Sequence, residues 1–381
     1  MSSYIWTSES VSPGHPDKIA DCISDGILDT YLELDPDAKV ACEVMVKNSD
    51  VYVCGEISST ADVSEELIRD SVRSTIELEN GYDRDELQFN GKNVTIHLNI
   101  SQQAPEINQA VVVGDELTAG DQGIMFGYAT RETPAHMPIA IFLARKFLWN
   151  AFSRQSELQL RPDMKSQVSV HYEDGVAKHI DNVVISMCHA ESHTLQSLRE
   201  MFHDSIKPRV VDTLDENLQS LFIDKTKWHI NPAGTWNIGG PVSDCGLTGR
   251  KIVVDQYGAD CEIGGGAFSG KDPSKVDRSA AYMARYIALK TLKENSDTNK
   301  VKVQLAYVIG EKYPVSYRIY DPSTGKEFGL GDLTPEDLTP SAIIERLGLK
   351  APIYLDTAVL GHFGINSYEV GGIKYFQWEN V

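Results

Sequence analysis

Apolar and polar positions along the chain repeat one arrangement three times. Residues 39–57, 165–187 and 300–320 each read as two apolar runs about a polar turn. The turns are Asn48-Ser49-Asp50, Asp174-Gly175 and residues 310–314. Such runs predict β-hairpins, and they begin about 130 residues apart. A helical pattern precedes each hairpin, over residues 16–34, 136–155 and 274–294. In the first, Ile19, Ile23, Ile27 and Tyr31 share one face at four-residue spacing. A second amphipathic helix follows each hairpin, over residues 63–78, 195–214 and 341–347. Strands at 94–100 and 228–230 close the first two copies, and residues 353–359 are the expected third. The fold class is therefore α+β, with three similar domains of hairpin-containing sheets and helices. Their expected bounds are 1–103, 116–234 and 235–381. Hairpins make antiparallel neighbours, which excludes a doubly wound parallel sheet.

Charge narrows the possible ligands. The 381 residues hold 35 Lys+Arg against 55 Asp+Glu, a net charge of -20. That balance repels nucleic acid and anionic membrane, so neither is an expected partner. A polyanionic ligand must instead be met by a local concentration of Lys and Arg. The most apolar stretch, residues 137–149, is interrupted by Arg145 and Lys146 and is too short to span a bilayer. The first ten residues lack the basic and apolar regions of a signal peptide. Six cysteines form no CxxC pair, and no His cluster accompanies them, which predicts buried free thiols and a cytoplasmic location.

The candidate chemistry gathers at Gly-rich turns. Residues 264–275 read GGGAFSGKDPSK. Bare backbone N–H groups feeding a helix that starts at Asp272-Pro273 would cradle phosphate. Asp272 stands where a P-loop needs Ser or Thr, which argues against a P-loop-like ATPase or kinase. Residues 244–251 carry Arg250 and Lys251 after a second Gly-rich turn, either a phosphate clamp or a solvated basic turn. In residues 12–18, Pro16 opens a helix. His15 then sits near its N-cap and Asp17 in its first turn, where a His tends to stay neutral. Glu43 and Glu56 lie in the two strands of one hairpin among apolar neighbours. A buried carboxylate there needs a cation or donors, and an exposed strand face explains the pair equally. Together, Asp17, Asp121 and Asp277 with Lys165, Arg250, Lys251, Lys271 and Lys275 form an inventory for a polyphosphate held with Mg²⁺.

The segments TSESVSPGHPDKIAD, AGDQGIMFGYAT, LRPDMKSQV, DCGLTGRKIVVD and GGGAFSGKDPSKVDRSAAY closely resemble the signatures of the S-adenosylmethionine synthetases. The matches run in order from Thr7 to His362-Phe363-Gly364. The resemblance implies three α+β domains about a pseudo-threefold axis. It implies that the sulfur of L-methionine attacks C5′ of ATP, and that the expelled tripolyphosphate is hydrolysed to phosphate and diphosphate. It also implies two Mg²⁺ per site, K⁺, and a homodimer or homotetramer with active sites at the dimer interface. By motif, His15 lies at the leaving oxygen. Asp17 and Asp277 bind Mg²⁺, and Glu43 binds K⁺. Glu56 and Gln103 contact methionine. Asp121, Asp163, Lys165, Asp244, Arg250, Lys251, Ala267, Lys271 and Lys275 surround ATP, and Asp244 and Lys275 also face methionine. Thr235-Trp236 replaces the Arg-Phe of many bacterial members. Trp236 keeps an aromatic face for adenine, without the arginine contact. Residues 102–119 are the expected gate over the site. With His15, Asp17, Lys165, Lys271 and Asp277 intact, a catalytically silent regulatory subunit is the weaker reading.

Overall fold

A computed structural model describes residues 2–102, 112–113 and 116–381. Strand β1 (Ser3–Val11) leads into helix α1 (Pro16–Leu34), whose first turn is set by Pro16 and by the side chain of His15. The first hairpin is β2 (Lys39–Lys47) and β3 (Asp50–Ser58), followed by α2 (Glu65–Ser74) and β4 (Thr95–Ser101). Next come β5 (Gly123–Thr130), α3 (Ile139–Phe152), the hairpin β6 (Leu160–Glu173) and β7 (Val176–His189), and β8 (Lys227–Ile230). The last part holds β9 (Gly246–Leu247), α4 (Val276–Glu294), the hairpin β10 (Lys300–Tyr307) and β11 (Ser316–Tyr320), and α5 (Tyr354–Leu360).

Three sheets organise these elements, in the orders β9-β2-β3-β4, β1-β6-β7-β8 and β11-β10-β5. In each, the first hairpin strand pairs antiparallel with a strand from another part of the chain: β2 with β9, β6 with β1, β10 with β5. In the first two, the second hairpin strand pairs in parallel with the strand that closes the copy. Among the described residues the third sheet has no such strand. Residues 353–359, expected to supply it, form helix α5. Its first turn is capped by Asp29, whose carboxylate accepts the N–H groups of Tyr354 (2.9 Å) and Leu355 (2.8 Å). Strands β1 and β5 were not foreseen in the sequence.

A second correction bears on the phosphate loop. Asp272-Pro273 does not start a helix; α4 begins at Val276 with Lys275 as its N-cap. Asp272 is tied to β2 instead. Its N–H donates to the Val40 carbonyl (3.1 Å), and its carboxylate accepts the Val40 N–H (2.7 Å). The second helices are also less regular than expected. Residues 75–79 and 202–206 are π-helical turns that continue the helices before them.

Helix α1 positions the site because both of its faces are covered. Ile19, Ile23 and Ile27 are fully buried in a core shared with β2, β3, α4 and β10. Strands β6 and β7 pack on α3 in a separate core. The other face of α1 carries Asp17, Asp21, Asp25 and Asp29.

Candidate active site

The GHPDK turn is held from three sides. Asn80 Nδ2 donates to the Pro13 carbonyl (2.8 Å), the Tyr82 hydroxyl to the Gly14 carbonyl (2.7 Å), and Ser12 Oγ to the Pro162 carbonyl (2.6 Å). His15, only 2% exposed, caps α1: its Nδ1 accepts the Asp17 N–H at 3.1 Å. That bond places the ring proton on Nε2. Burial, then the charges of Lys251 and Lys165, lower the His15 pKa to about 3 against the opposing Asp17 and Asp244. The ring is neutral throughout the physiological range, as expected for a His at a helix N-terminus.

Asp17 is buried and fully engaged. It accepts the Leu247 N–H (3.0 Å) and the Lys251 ammonium, and Arg250 Nε lies 3.6 Å away. Burial alone would raise its pKa, but the Lys251 and Leu247 bonds hold it below the ordinary carboxylate range. Asp163 is buried beside this group. Its Oδ2 accepts the Gly240 N–H (2.8 Å), and its Oδ1 has no partner among the described residues. Burial pushes Asp163 up to about 7, against the pull of Lys165. Asp244 and Lys165 are exposed, and their charges act on both His15 and Asp163. Trp236 precedes the segment that bonds Asp163. It is half-buried, and its indole N–H donates to the Ile238 carbonyl (2.8 Å).

A second group forms on the outer edge of β2. Residues 270–272 pair there, with the Cys42 N–H donating to the Gly270 carbonyl (2.9 Å) and Lys271 opposite Ala41. Lys271 Nζ meets Asp277 at 2.6 Å, and Lys275 pairs with Asp272. The Asp277 carboxylate lies against bare backbone: a Cβ on Gly266 would sit 2.1 Å from Asp277 Cγ. Ala267 touches the other group, since a Cβ on Gly249 would be 2.7 Å from its own. Glu43 and Glu56 project from the solvent face of β2 and β3, while Val40, Cys42, Val44 and Val46 fill the core. Glu43 therefore lies on the exposed face, the second of the two readings open to it. Partial burial and the Glu56 charge still raise its pKa, opposed by Lys271 and Lys275. Asp121 is exposed and accepts its neighbour's N–H (2.7 Å), two residues before Gly123, where a Cβ would lie 3.3 Å from Asp277 Oδ1. Gln103 and most of the expected gate lie outside the described residues.

Comparison with known proteins gives this arrangement a context. Residues 3–105 match the N-terminal domain of S-adenosylmethionine synthetase, residues 116–236 its central domain, and residues 238–380 its C-terminal domain. The chain belongs to the S-adenosylmethionine synthetase family. It is a methionine adenosyltransferase, an ATP-binding transferase that forms S-adenosylmethionine from ATP and L-methionine. The family is generally dependent on Mg²⁺ and K⁺. The P-loop-like and silent-subunit readings find no support. No helix among the described residues is long and apolar enough to cross a membrane.

The family's dependence on Mg²⁺ calls for oxygen ligands, and the carboxylates of the two groups are of that kind. Among the described residues no three His, Cys, Asp or Glu converge into a metal cage. Mg²⁺ is commonly bound by one or two carboxylates plus phosphate oxygens and water, so two separate aspartates suffice. The bare glycine at 266 lets the Asp277 carboxylate lie where a Cβ would collide with it.

Sequence reasoning missed the residues behind these groups. Asn80 and Tyr82, which fix the turn before His15, carry no motif. Lys18 is fully buried between Asp21 (3.2 Å) and Asp255 (2.6 Å). Asp21 and Asp25 were visible as an aspartate at every fourth position of α1, but that signal is silent until their partners are known.

Proposed function

We propose that the triphosphate of ATP lies between the two groups, with Arg250 and Lys251 on one side and Lys271 on the other, and Lys165 at the leaving end. One observation carries this reading. His15 is held neutral with its proton on Nε2, amid Lys165, Lys251 and Asp244. A thioether nucleophile needs no general base. The leaving O5′ gains negative charge, and a neutral Nε2–H can donate a hydrogen bond to it as that charge develops. The lysines offset the rest. Asp244 favours the sulfonium that forms as the C5′–O5′ bond breaks. Asp163 and Trp236 take the adenosine, while Glu56, with Gln103, takes methionine. Asp17 and Asp277 would each hold a Mg²⁺, and Glu43 a K⁺. Bound there, Mg²⁺ supplies positive charge against the triphosphate. The same cations would retain the tripolyphosphate for hydrolysis to phosphate and diphosphate.

The two groups share their work with a second copy of the chain. Met45 and Tyr52, each 36% exposed, lie on the same sheet face as Glu43 and Glu56. We place a homodimer, or a pair of dimers, across that face, with the site completed at the interface. Six free thiols and an ATP substrate support a cytoplasmic location. The test is incubation of the purified protein with ATP, methionine, Mg²⁺ and K⁺. S-adenosylmethionine with equal phosphate and diphosphate supports the reading, and methionine-independent release of ADP overturns it.

A further inference from the structure

Helix α3 turns one stripe of side chains away from its core. Phe142, Lys146, Trp149, Asn150 and Ser153 recur at helical spacing and stay partly or largely exposed, while Leu143, Phe147 and Leu148 are fully buried. The stripe lines a groove of about 570 Å³ together with residues of the short helix Lys207–Val211 and of residues 360–365. That volume suits a small molecule. The groove shares no residue with the candidate active site.

Its charge opposes that of the chain. Four lining residues are cations, Arg145, Lys146, Arg154 and Arg209, and none is Asp or Glu, on a chain with 55 acidic residues against 35 basic. Arg154 is held by Glu157 (2.6 and 2.9 Å). The other three have no carboxylate partner among the described residues. Lys146 lies over the Phe142 ring at 5.1 Å, and Arg209 is exposed. Arg145 is 9% exposed, and its guanidinium donates to the carbonyls of Phe363 (2.6 Å), Val254 (2.7 Å) and Gln256 (2.9 Å). Its Nε has no partner among the described residues. Burial lowers its pKa to about 10, against the pull of Asp255 and Glu379, so it stays charged at neutral pH. A buried charge met by neutral carbonyls alone favours an anion nearby.

We propose that this groove is a second ligand site, for a planar aromatic phosphate monoester: the ring lies against Trp149, and Lys146 and Arg209 take the phosphate above the fixed charge of Arg145. Trp149 is 44% exposed and stacks on Phe152 with ring centroids 6.0 Å apart, which steadies its indole. Met137, Val210 and Ile365 extend the apolar lining. An inorganic anion would leave Trp149 and that apolar lining uncovered. An uncharged aromatic would leave three cations without a counter-charge. Two free cations from separate helices suit a phosphate dianion better than a single carboxylate.

The experiment measures calorimetric binding of 1-naphthyl phosphate to the full-length protein, with the catalytic site filled by S-adenosylmethionine and tripolyphosphate with Mg²⁺. One molecule should bind per chain and quench a fluorescence component that Trp149→Phe lacks. Lys146→Ala and Arg209→Ala should each weaken binding about tenfold, the scale of one charged hydrogen bond. Trp149→Ala should cost about as much, the scale of one aromatic stack. Without the probe, kcat and both KM values should stay within about twofold in all three variants. Arg209 and Trp149 are exposed, so their variants test the site even where Lys146→Ala does not fold. No binding to the wild type with the catalytic site filled would overturn the proposal, as would unchanged affinity in Arg209→Ala and Lys146→Ala. Equal affinity for 1-naphthol would remove the anion from it, and tighter binding of dodecyl phosphate would replace the ring with an acyl chain; either result overturns it. So would sedimentation showing that Trp149→Ala splits the assembly, because the groove would then be a contact between copies.

Discussion

Asp17 and Glu43 are both proposed to hold cations, and they stand in opposite surroundings. Asp17 is 1% exposed, accepts a backbone N–H and an ammonium, and is held ionised. Glu43 projects from an open sheet face, with Glu56 as its diagonal cross-strand neighbour, and its pKa is raised. The group around Asp17 is finished by folding, because α1 and residues 240–251 close over it. The group around Glu43 is left with like charges facing solvent, which is how a surface looks when another surface or a ligand completes it. If both groups serve one reaction, breaking either must disable it.

The largest effect expected is therefore the same on both sides. Lys165 acts on the buried group and Lys271 belongs to the open one. Replacing either with Met should lower kcat by roughly 10²- to 10³-fold while raising the methionine KM far less. Steady-state kinetics with both substrates varied would check this. Near-normal kcat in Lys271→Met, with Lys165→Met crippled, would separate the two groups and leave the open one without a catalytic role.

A smaller effect is expected at the rim of the buried group. Trp236 is half-buried and can present its indole face to adenine. Base–aromatic stacking is worth about 1–3 kcal/mol in nucleic-acid systems. Trp236→Ala should raise the ATP KM on the order of tenfold, and Trp236→Phe should be mild although it loses the bond to the Ile238 carbonyl. Unchanged ATP affinity with lowered thermal stability would assign Trp236 to packing alone.

Asp163 sharpens the comparison through pH. Its pKa is raised to about 7 by burial, so the folded chain favours the protonated form. Such a group contributes stability below its unfolded pKa, and that contribution is lost as pH rises through the folded value. Wild-type melting temperature should fall between about pH 4 and pH 7, each unit of the shift being worth about 1.4 kcal/mol. Asp163→Asn should show a shallower fall over the same range. Parallel curves for the two proteins would show that Asp163 is ionised in the folded state well below neutrality.

Much of this was legible in the sequence, for local reasons. Helix α1 begins at Pro16 as read, since proline at the first position and four-spaced isoleucines are properties of the segment itself. The three hairpins follow from alternation about polar turns. What failed was remote. Strand β1 pairs with β6 and strand β5 with β10, so neither has a nearby turn to announce it. Helix α5 was read as a strand because Ile353 and Val359 favour one, and the cap that decides it comes from Asp29. The family motifs pointed to most of the residues now found in the two groups. Of the α1 carboxylates that hold those motifs in place, Asp17 and Asp21 lie inside the first motif, while Asp25 and Asp29 lie beyond it.

The smallest effect expected is at Glu43, and it tests the open group directly. Glu43 and Glu56 share a sheet face about 7–8 Å apart by their diagonal register, close enough for each to disfavour the other's charge. Lys271 and Lys275 offset this only in part, because Lys271 is engaged with Asp277 and Lys275 with Asp272. A monovalent cation at Glu43 would relieve the repulsion and steady the hairpin that carries Glu56, without touching the reacting atoms. Activity should rise with K⁺ by about fivefold, the equivalent of ~1 kcal/mol for a partly exposed ionic contact. Na⁺, being smaller, should do much less. Glu43→Gln keeps the shape and removes the charge. It also removes the repulsion, so most of the K⁺ response should vanish while Mg²⁺ dependence and slow turnover remain. Titration of KCl at constant ionic strength on both proteins decides it. A variant activated as strongly as the wild type would mean that the cation acts elsewhere and that Glu43 is an exposed strand residue with no part in the site.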